Sequence, residues 1–264
     1  MMDDFEKLFR KSFEKPANDL YEMELIGDHQ MRIGVPIDAP EELKRRVLAA
    51  MKSYQARLKS VDYTLKRYGE YWKYPDPSEE ESFLLYTLRA LDQRVETTVD
   101  QLCSGTQRES QYGSFAAEAA LIRLKPTFRS AYYLIMQGYP FEAAAMCRII
   151  LEQISWAYFI RNIDDEETVS ATNPTKTISA FKVVMPEAGK LYGLLSSHTH
   201  LDPKNTDHYI TKSDSSISIN FHLPAQTKTV LYYLLKLYFK FYEVSMAVSG
   251  RHQEIVEEIL YDWI

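Results

Sequence analysis

Two oppositely charged side chains lie one helical turn apart in a strongly apolar stretch of the chain. Arg148 and Glu152 interrupt residues 138–161, which read GYPFEAAAMCRIILEQISWAYFIR. An arginine four residues before a glutamate is the weaker order for stabilising a helix, and unpaired charges are costly to bury. We therefore expect both side chains to have further polar partners. They form either a buried pair that fixes how helices dock or part of a polar cluster that lines a cleft.

Histidines form the second set of candidate groups. Four of the six histidines and two aspartates fall close together in the chain: His198, His200, Asp202, Asp207, His208 and His222. Imidazole and carboxylate groups bind zinc and other transition metals, but the sequence contains neither an HExxH motif nor a Cys/His quartet. It also lacks a Walker A loop, a GxGxxG turn, a GxSxG elbow and a kinase signature. We therefore predict no metal site and no cofactor.

A run of basic residues between positions 44 and 67 is the third candidate site. Eight lysines and arginines occupy this range, in which Asp62 is the one acidic residue. The candidate contacts to nucleic-acid phosphates are Lys52, Arg57, Lys59 and Lys66. A solvated helix face or a dimer edge would explain the same run. The net charge of the whole chain is −6, which argues against a surface that is basic throughout.

Hydrophobic periodicity predicts that long helices carry these groups. The 264 residues include nine glycines, and such a composition favours helices over a β-sandwich. Apolar residues recur at spacings of four and three from Val47 to Trp72, which predicts one unbroken heptad helix over about 40–72. Ser78 and Glu81 form a capping box that opens a second long helix. The two long helices are expected to form an antiparallel hairpin.

The remaining segments predict an all-α protein with one small β-hairpin. The hairpin is expected within residues 21–35, where apolar and polar residues alternate around a Gly-Asp turn. The acidic stretch after Arg161 is expected to be a loop, and a further strand is expected near 217–221. The other predicted helices cover 3–15, 115–137 with a kink at Pro126, 138–161, 176–184, 186–200, 223–248 and 253–263.

Cysteine usage and hydropathy predict a cytoplasmic protein without a membrane span. Cys103 and Cys147 have no paired spacing and are expected to be buried, reduced thiols. The charged N-terminus has no apolar leader. Lys236, Lys240 and Glu243 interrupt the most apolar late segment, which makes it unsuited to crossing a bilayer.

The segment from Tyr192 to His200, YGLLSSHTH, completes a resemblance to a known family. Together with the helix of Arg148 and Glu152, it resembles the HEPN-like helical proteins, and most closely their stand-alone prokaryotic members. The resemblance covers about residues 115–250. It implies a HEPN-like helical bundle over 111–264, preceded by a helical extension over 1–110. It also implies a place in toxin–antitoxin or antiviral defence systems.

The resemblance further implies a metal-independent endoribonuclease. Active members carry an arginine, then four to six residues, then a histidine, usually in a site composed across a dimer. His200 matches the histidine, whereas Gly193 occupies the arginine position. Arg148 on the neighbouring helix, held beside Glu152, would then stabilise the charge of the phosphorane. His200 would be the acid and base in the attack of a 2′-hydroxyl on phosphate.

Three more polar residues of this segment would support that cluster: Tyr192, Ser196 and His198. A hypothesis from another class is a non-catalytic interaction module, which forms a homodimer or joins a larger effector assembly. The glycine at position 193 favours this second hypothesis. Binding of RNA or nucleotides without cleavage is the remaining alternative within the first class.

Overall fold

The structure is a computed structural model, and it describes residues 23–27, 32–36, 39–72, 79–104, 111–200, 206–213, 216–220 and 223–250. The described part has an all-α fold, as predicted, with two short β-hairpins. The helices predicted for 3–15 and 253–263 lie outside the described residues. The chain divides into two compact units, residues 1–78 and 79–264.

The first unit contains a β-hairpin and two helices. The hairpin is antiparallel, with Leu25 opposite Gly34, which confirms the prediction for this segment. Its elements are β1 (Met23–Gly27), β2 (Arg32–Pro36), α1 (Glu41–Gln55), α2 (Val61–Tyr68) and a 3₁₀ turn at Gly69–Tyr71. Four buried side chains form the described part of its core, with three half-buried ones against them: Ile26, Val35, Leu48 and Met51, then Ile33, Val47 and Trp72.

The unbroken heptad helix predicted for residues 40–72 is wrong, because the chain turns sharply at Arg57. This residue has a left-handed backbone conformation, with φ of 50°, two positions after the end of α1. The amide of Leu58 then donates to the carbonyl of Ser53 at 2.9 Å, as in the Schellman motif that ends many helices. A left-handed backbone costs a residue with a side chain on the order of 1 kcal/mol.

Polar side chains hold α2 against α1. The hydroxyl groups of Ser53 and Thr64 are buried and lie 2.6 Å apart. Both hydroxyls also lie 2.9 Å from the carbonyl oxygen of Ser60, the residue that caps α2. With the helix broken, Tyr54 does not belong to an apolar seam, and it is 79% exposed.

The second unit is a helical bundle built around a central helix. Its elements are α3 (Glu79–Cys103), α4 (Tyr112–Ile122), α5 (Leu124–Met136), α6 (Pro140–Ile160), α7 (Glu166–Ala171), α8 (Pro174–Phe181), α9 (Ala188–Thr199), α10 (Thr206–Tyr209), β3 (Ile210–Ser213), β4 (Ser216–Ile219) and α11 (Pro224–Ser249). Helix α6 packs against α4, α5, α8, α9 and α11. The structure thus confirms the core helix predicted for 138–161.

Helix α6 is the one helix among the described residues that is long and apolar enough to cross a bilayer. Its mean hydropathy over 18 residues is 1.2, and half of that window is buried inside the protein. Packing by five neighbouring helices therefore accounts for its apolar composition. Cys147 on this helix is buried, as predicted, whereas Cys103 at the end of α3 is exposed, which corrects the prediction of two buried thiols.

The single kinked helix predicted for 115–137 is divided into α4 and α5 at Arg123. Pro126 lies at the third position of α5 and has no amide hydrogen to donate to the carbonyl of Ile122, where α4 ends. The interruption predicted at Pro126 therefore appears three residues earlier, at the boundary between the two helices. Helix α4 also begins before Phe115, at Tyr112.

Helix α3 belongs to the second unit, whereas the sequence pattern places residues 79–110 in the N-terminal extension. Three ion pairs among the described residues join α3 to α5: Arg129 to Asp92 at 3.1 Å, Arg129 to Glu96 at 3.7 Å and Lys125 to Glu96 at 2.6 Å. Burial raises the pKa of Asp92, and the hydrogen bond from Arg129 opposes that effect. These contacts explain why the division between the units falls near residue 78.

Three elements of the second unit are absent from the sequence-based prediction: the helices α7 and α10 and the strand β3. Asp165 caps α7 by accepting a hydrogen bond from the amide of Thr168 at 2.7 Å. The acidic stretch after Arg161 is therefore partly helical instead of a loop. Strand β3 pairs antiparallel with β4, which overlaps the strand predicted near 217–221.

Candidate functional site

The guanidinium group of Arg148 is the centre of a polar cluster between α6 and α9. Its Nε donates to Oε1 of Glu152 at 3.0 Å. Its Nη2 donates to the hydroxyl of Tyr192 at 3.1 Å, and its Nη1 lies 2.9 Å from Nε2 of His200. The expectation that both charges have further polar partners is confirmed for Arg148. The structure also brings together four of the residues that the sequence singles out.

The surroundings of Arg148 hold its side chain charged and oriented. The side chains of Arg148 and Glu152 are both mostly buried. Burial by itself lowers the pKa of Arg148, but the hydrogen bonds to Tyr192 and Glu152 outweigh it, and the pKa lies above its ordinary value. The guanidinium carbon also lies 5.2 Å from the centroid of the Tyr192 ring, within the range of a cation–π contact. The cluster therefore holds a fixed positive charge.

His200 lies at the exposed end of α9, where its amide donates to the carbonyl of Ser196 at 3.0 Å. An arginine side chain can only donate hydrogen bonds, so Nε2 of His200 must accept this one. The neutral ring then carries its proton on Nδ1, an assignment that follows from the hydrogen bond. The lone pair of Nε2 therefore accepts a hydrogen bond, and the donor is the Arg148 cation.

Ser196 lies one helical turn from both Tyr192 and His200 on the same helix. Its Oγ is buried and has no hydrogen-bond partner among the described residues. A buried hydroxyl without a partner costs about 1–3 kcal/mol, so such a group calls for a water or a ligand. Ser196 therefore extends the polar surface of the cluster along α9.

His198 occupies a different face of α9, because it is two residues from His200. Its ring packs against Phe141 with a centroid distance of 5.4 Å. His198 therefore has an aromatic contact at the beginning of α6, and its supporting role in the cluster stays a prediction. The side chains of His208 and His222 lie outside the described ones. Within the described part, no group of three metal-ligating side chains comes together.

Gly193 is exposed in the middle of α9, seven residues before His200. Residues at this spacing lie on the same side of a helix. A Cβ atom built at Gly193 meets no other atom within 4 Å. The position therefore has room for a large side chain beside the cluster, although the chain places none there.

The four predicted nucleic-acid contacts lie in the first unit on three different elements. Lys52 is half-buried in the last turn of α1, and Lys66 is exposed in the last turn of α2. Arg57 and Lys59 are exposed in the turn between these helices. The break at Arg57 therefore replaces the single basic stripe that the sequence predicts with a hairpin that displays cations on both helices.

The sequence-based prediction omits the exposed aromatic rings of the same hairpin. Tyr54 and Tyr68 fit the heptad spacing and were therefore predicted to face a packed seam. Tyr63 and Tyr71 lie near Lys66 and Arg67 in the sequence, and this mixture of aromatic and basic residues is the signal that reveals them. All four rings are exposed.

Comparison of the chain with protein-family models, with curated proteins and with solved structures finds no match. The class that the fold and the site define is thus an all-α bundle with an arginine–histidine cluster between its central helix and α9.

Proposed function

We propose that this chain is a HEPN-like protein of prokaryotic defence or toxin type that acts on RNA in the cytoplasm, without a metal or another cofactor. The observation that carries the proposal is the contact of the Arg148 guanidinium with the imidazole of His200. A fixed cation beside a histidine lone pair is what cleavage of a phosphodiester by its own 2′-hydroxyl requires. The family resemblance of Arg148–Glu152 and Tyr192–His200 supports the same reaction.

In this reaction the 2′-hydroxyl of a nucleotide attacks the adjacent phosphorus. Nε2 of His200 accepts the hydroxyl proton as the new P–O bond forms. Arg148 stabilises the negative charge that develops on the phosphorane oxygens. The bond from phosphorus to the 5′-oxygen then breaks, and the leaving oxygen takes a proton from water. The products are a 2′,3′-cyclic phosphate and a free 5′-hydroxyl.

The resting hydrogen bonds of Arg148 suit this role. A guanidinium group has five N–H donors, and Glu152, Tyr192 and His200 engage three of them. A phosphate that binds one of the remaining N–H groups together with the Nη1–H that contacts His200 competes with His200 for the guanidinium. As the Arg148–His200 contact lengthens, the lone pair of Nε2 becomes available to a substrate hydroxyl. Substrate binding and activation of the base are thereby coupled.

The test is cleavage of labelled single-stranded RNA by the purified chain and by two variants, with growth inhibition as a second measurement. We expect His200→Ala and Arg148→Ala each to lower cleavage by at least about 100-fold. Leu194→Ala is the matched control, since Leu194 is exposed on a different face of α9 from His200, and it should leave cleavage unchanged. Absence of both cleavage and growth inhibition in the wild type, with every partner tried, would remove the proposal.

The second candidate function is a non-catalytic interaction module that forms a homodimer or joins a larger assembly. Gly193 favours it, because the motif arginine is missing. Ile149 and Phe159 favour it as well, because both apolar side chains are exposed on α6, the helix of Arg148. Solution mass is the measurement: a monomer at high concentration would contradict a homodimer. An Ile149→Asp variant should dissociate a dimer that uses this face.

A further inference from the structure

The α1–α2 hairpin, taken here as residues 39–72 with the 3₁₀ turn at Gly69–Tyr71, exposes four aromatic rings. Tyr54 and Tyr71 are 79% and 75% exposed, and Tyr63 and Tyr68 are exposed as well. Buried aromatic side chains are among the largest contributors to a hydrophobic core, and the four buried side chains in the described part of this core include no aromatic ring. The hairpin leaves four rings in solvent instead, which indicates a surface that binds something.

The same hairpin concentrates positive charge. Residues 39–72 contain eight basic and four acidic side chains, a net charge of +4 in a chain whose net charge is −6. Arg46 contacts two of these acids, Glu42 at 3.2 Å and Asp62 at 3.9 Å. Four exposed cations of the hairpin have no carboxylate partner among the described residues: Arg57, Lys59, Lys66 and Arg67.

Rings and cations alternate on the exposed side of α2. Lys66 and Arg67 follow Tyr63 by three and four residues, so all three side chains lie on one side of α2. The Nε of Arg67 donates to the hydroxyl of Tyr68 at 3.2 Å, and its guanidinium carbon lies 5.7 Å from the centroid of that ring. Hydrogen bonding to Tyr68, followed by the electrostatic effect of Tyr63, raises the pKa of Arg67. The Arg67 cation is therefore held against the exposed ring of Tyr68.

We infer that the α1–α2 hairpin binds single-stranded nucleic acid, with bases stacked on Tyr54, Tyr63 and Tyr71 and phosphates bound by neighbouring cations. Charge complementarity selects a polyanion as the partner. The rings select a single strand over a duplex, because only unpaired bases expose a face for stacking. This surface lies in the first unit, and binding there does not depend on catalysis at Arg148.

The test is fluorescence anisotropy of a labelled 20-nucleotide single-stranded RNA titrated with the full chain. Stacking on an aromatic ring is worth about 1–3 kcal/mol per base, so Tyr54→Ala and Tyr63→Ala should each raise Kd by between about 5-fold and 100-fold. Tyr63→Phe keeps the ring and should bind as tightly as the wild type. Tyr86→Ala is the matched control, since Tyr86 is nearly as exposed as Tyr71 but lies on α3.

Three further measurements complete the test. Lys59→Gln should reduce the slope of log Kd against log salt concentration by about 0.7, which is the slope for one phosphate contact on a single strand. A duplex of the same sequence should bind more weakly than the single strand. Equal affinity for both, no loss in the tyrosine variants, or equal competition by polyglutamate would each overturn the inference.

The outcome is separable from that of the proposed function. The Kd and the cleavage rate are measured on the same preparations of the tyrosine variants, because these changes lie on the hairpin and leave Arg148 and His200 in place. A chain that binds single strands through its tyrosines but never cleaves them supports the hairpin surface and contradicts the ribonuclease. A chain that cleaves RNA with unchanged KM in the tyrosine variants supports the ribonuclease and contradicts the hairpin surface.

Discussion

Replacement of Gly193 by arginine tests the proposed site most directly. The position lies in the interior of α9, on the side of His200, and a Cβ there meets no atom within 4 Å. Gly193→Arg therefore installs an arginine at the position of the HEPN motif, and its Cβ meets no neighbouring atom. Gly193→Ala is the matched control, because it adds the Cβ and the same helix propensity without the charge.

The expected effect on stability is the same for both variants. Glycine in a helix interior is about 0.8–1 kcal/mol less favourable than alanine, and arginine is close to alanine on this scale. For a unit of 186 residues, about 1 kcal/mol raises Tm by about 2–4 °C. Both variants should therefore melt at a higher temperature than the wild type, by similar amounts.

The expected effect on activity differs between the two variants. A second cation near the phosphorane oxygens should raise the rate of RNA cleavage by at least about 10-fold, since removal of one such donor from an enzyme costs about 100-fold or more. The alanine variant should cleave at the rate of the wild type.

Thermal melting and single-turnover cleavage of the same preparations check both expectations. If neither variant gains stability, the structural account of α9 is wrong. If both gain stability but the arginine variant cleaves no faster than the alanine variant, Gly193 does not face the reacting phosphate.

Three other predictions concern the two units separately. Gly113→Ala should destabilise the second unit by about 3 kcal/mol in urea denaturation, because the new Cβ would collide with the carbonyl oxygen of Ile160. Arg57→Gly should stabilise the first unit by about 1 kcal/mol in a thermal melt, because glycine adopts the left-handed backbone of this position without strain. The same change should weaken RNA binding, because it removes a cation. A loss of stability would contradict the strain at Arg57. At pH 8 a thiol reagent should modify the exposed Cys103 quickly and the buried Cys147 only in denaturant, because burial raises the pKa of Cys147 to about 12. Rapid modification of two thiols in the native protein would contradict the burial of Cys147.

The cluster around Arg148 was predictable because the sequence shows two charged residues within a strongly apolar helical stretch. Two charges inside an apolar helix need partners wherever the helix packs, and Tyr192 and His200 are polar residues of another segment that the family resemblance pairs with it. The identity of the contacts was not predictable. Periodicity does not specify that His200 would accept from Nη1 while Tyr192 accepts from Nη2, because the packing of α9 on α6 decides both.

The heptad prediction failed because apolar spacing reports which residues share a helix face only while the helix continues. The spacing from Val47 to Trp72 continues past Arg57, and the spacing of apolar residues does not reveal that the backbone of Arg57 has a positive φ. Ser60 followed by Asp62 is the signal that was available, since a serine cap with an acid in the first turn marks the beginning of a helix. The same kind of signal at Asp165 marks α7.

The described part of the core of the first unit has a thermodynamic consequence. It consists of four buried and three half-buried apolar side chains, and a set of this size by itself contributes little net free energy of unfolding. A ligand that binds only the folded unit adds about 2.7 kcal/mol at a concentration 100-fold above its Kd. A bound single strand would thus contribute a large share of the folding free energy of this unit. Residues 39–72 should then resist a protease when the protein is loaded with nucleic acid and be cut first when it is empty.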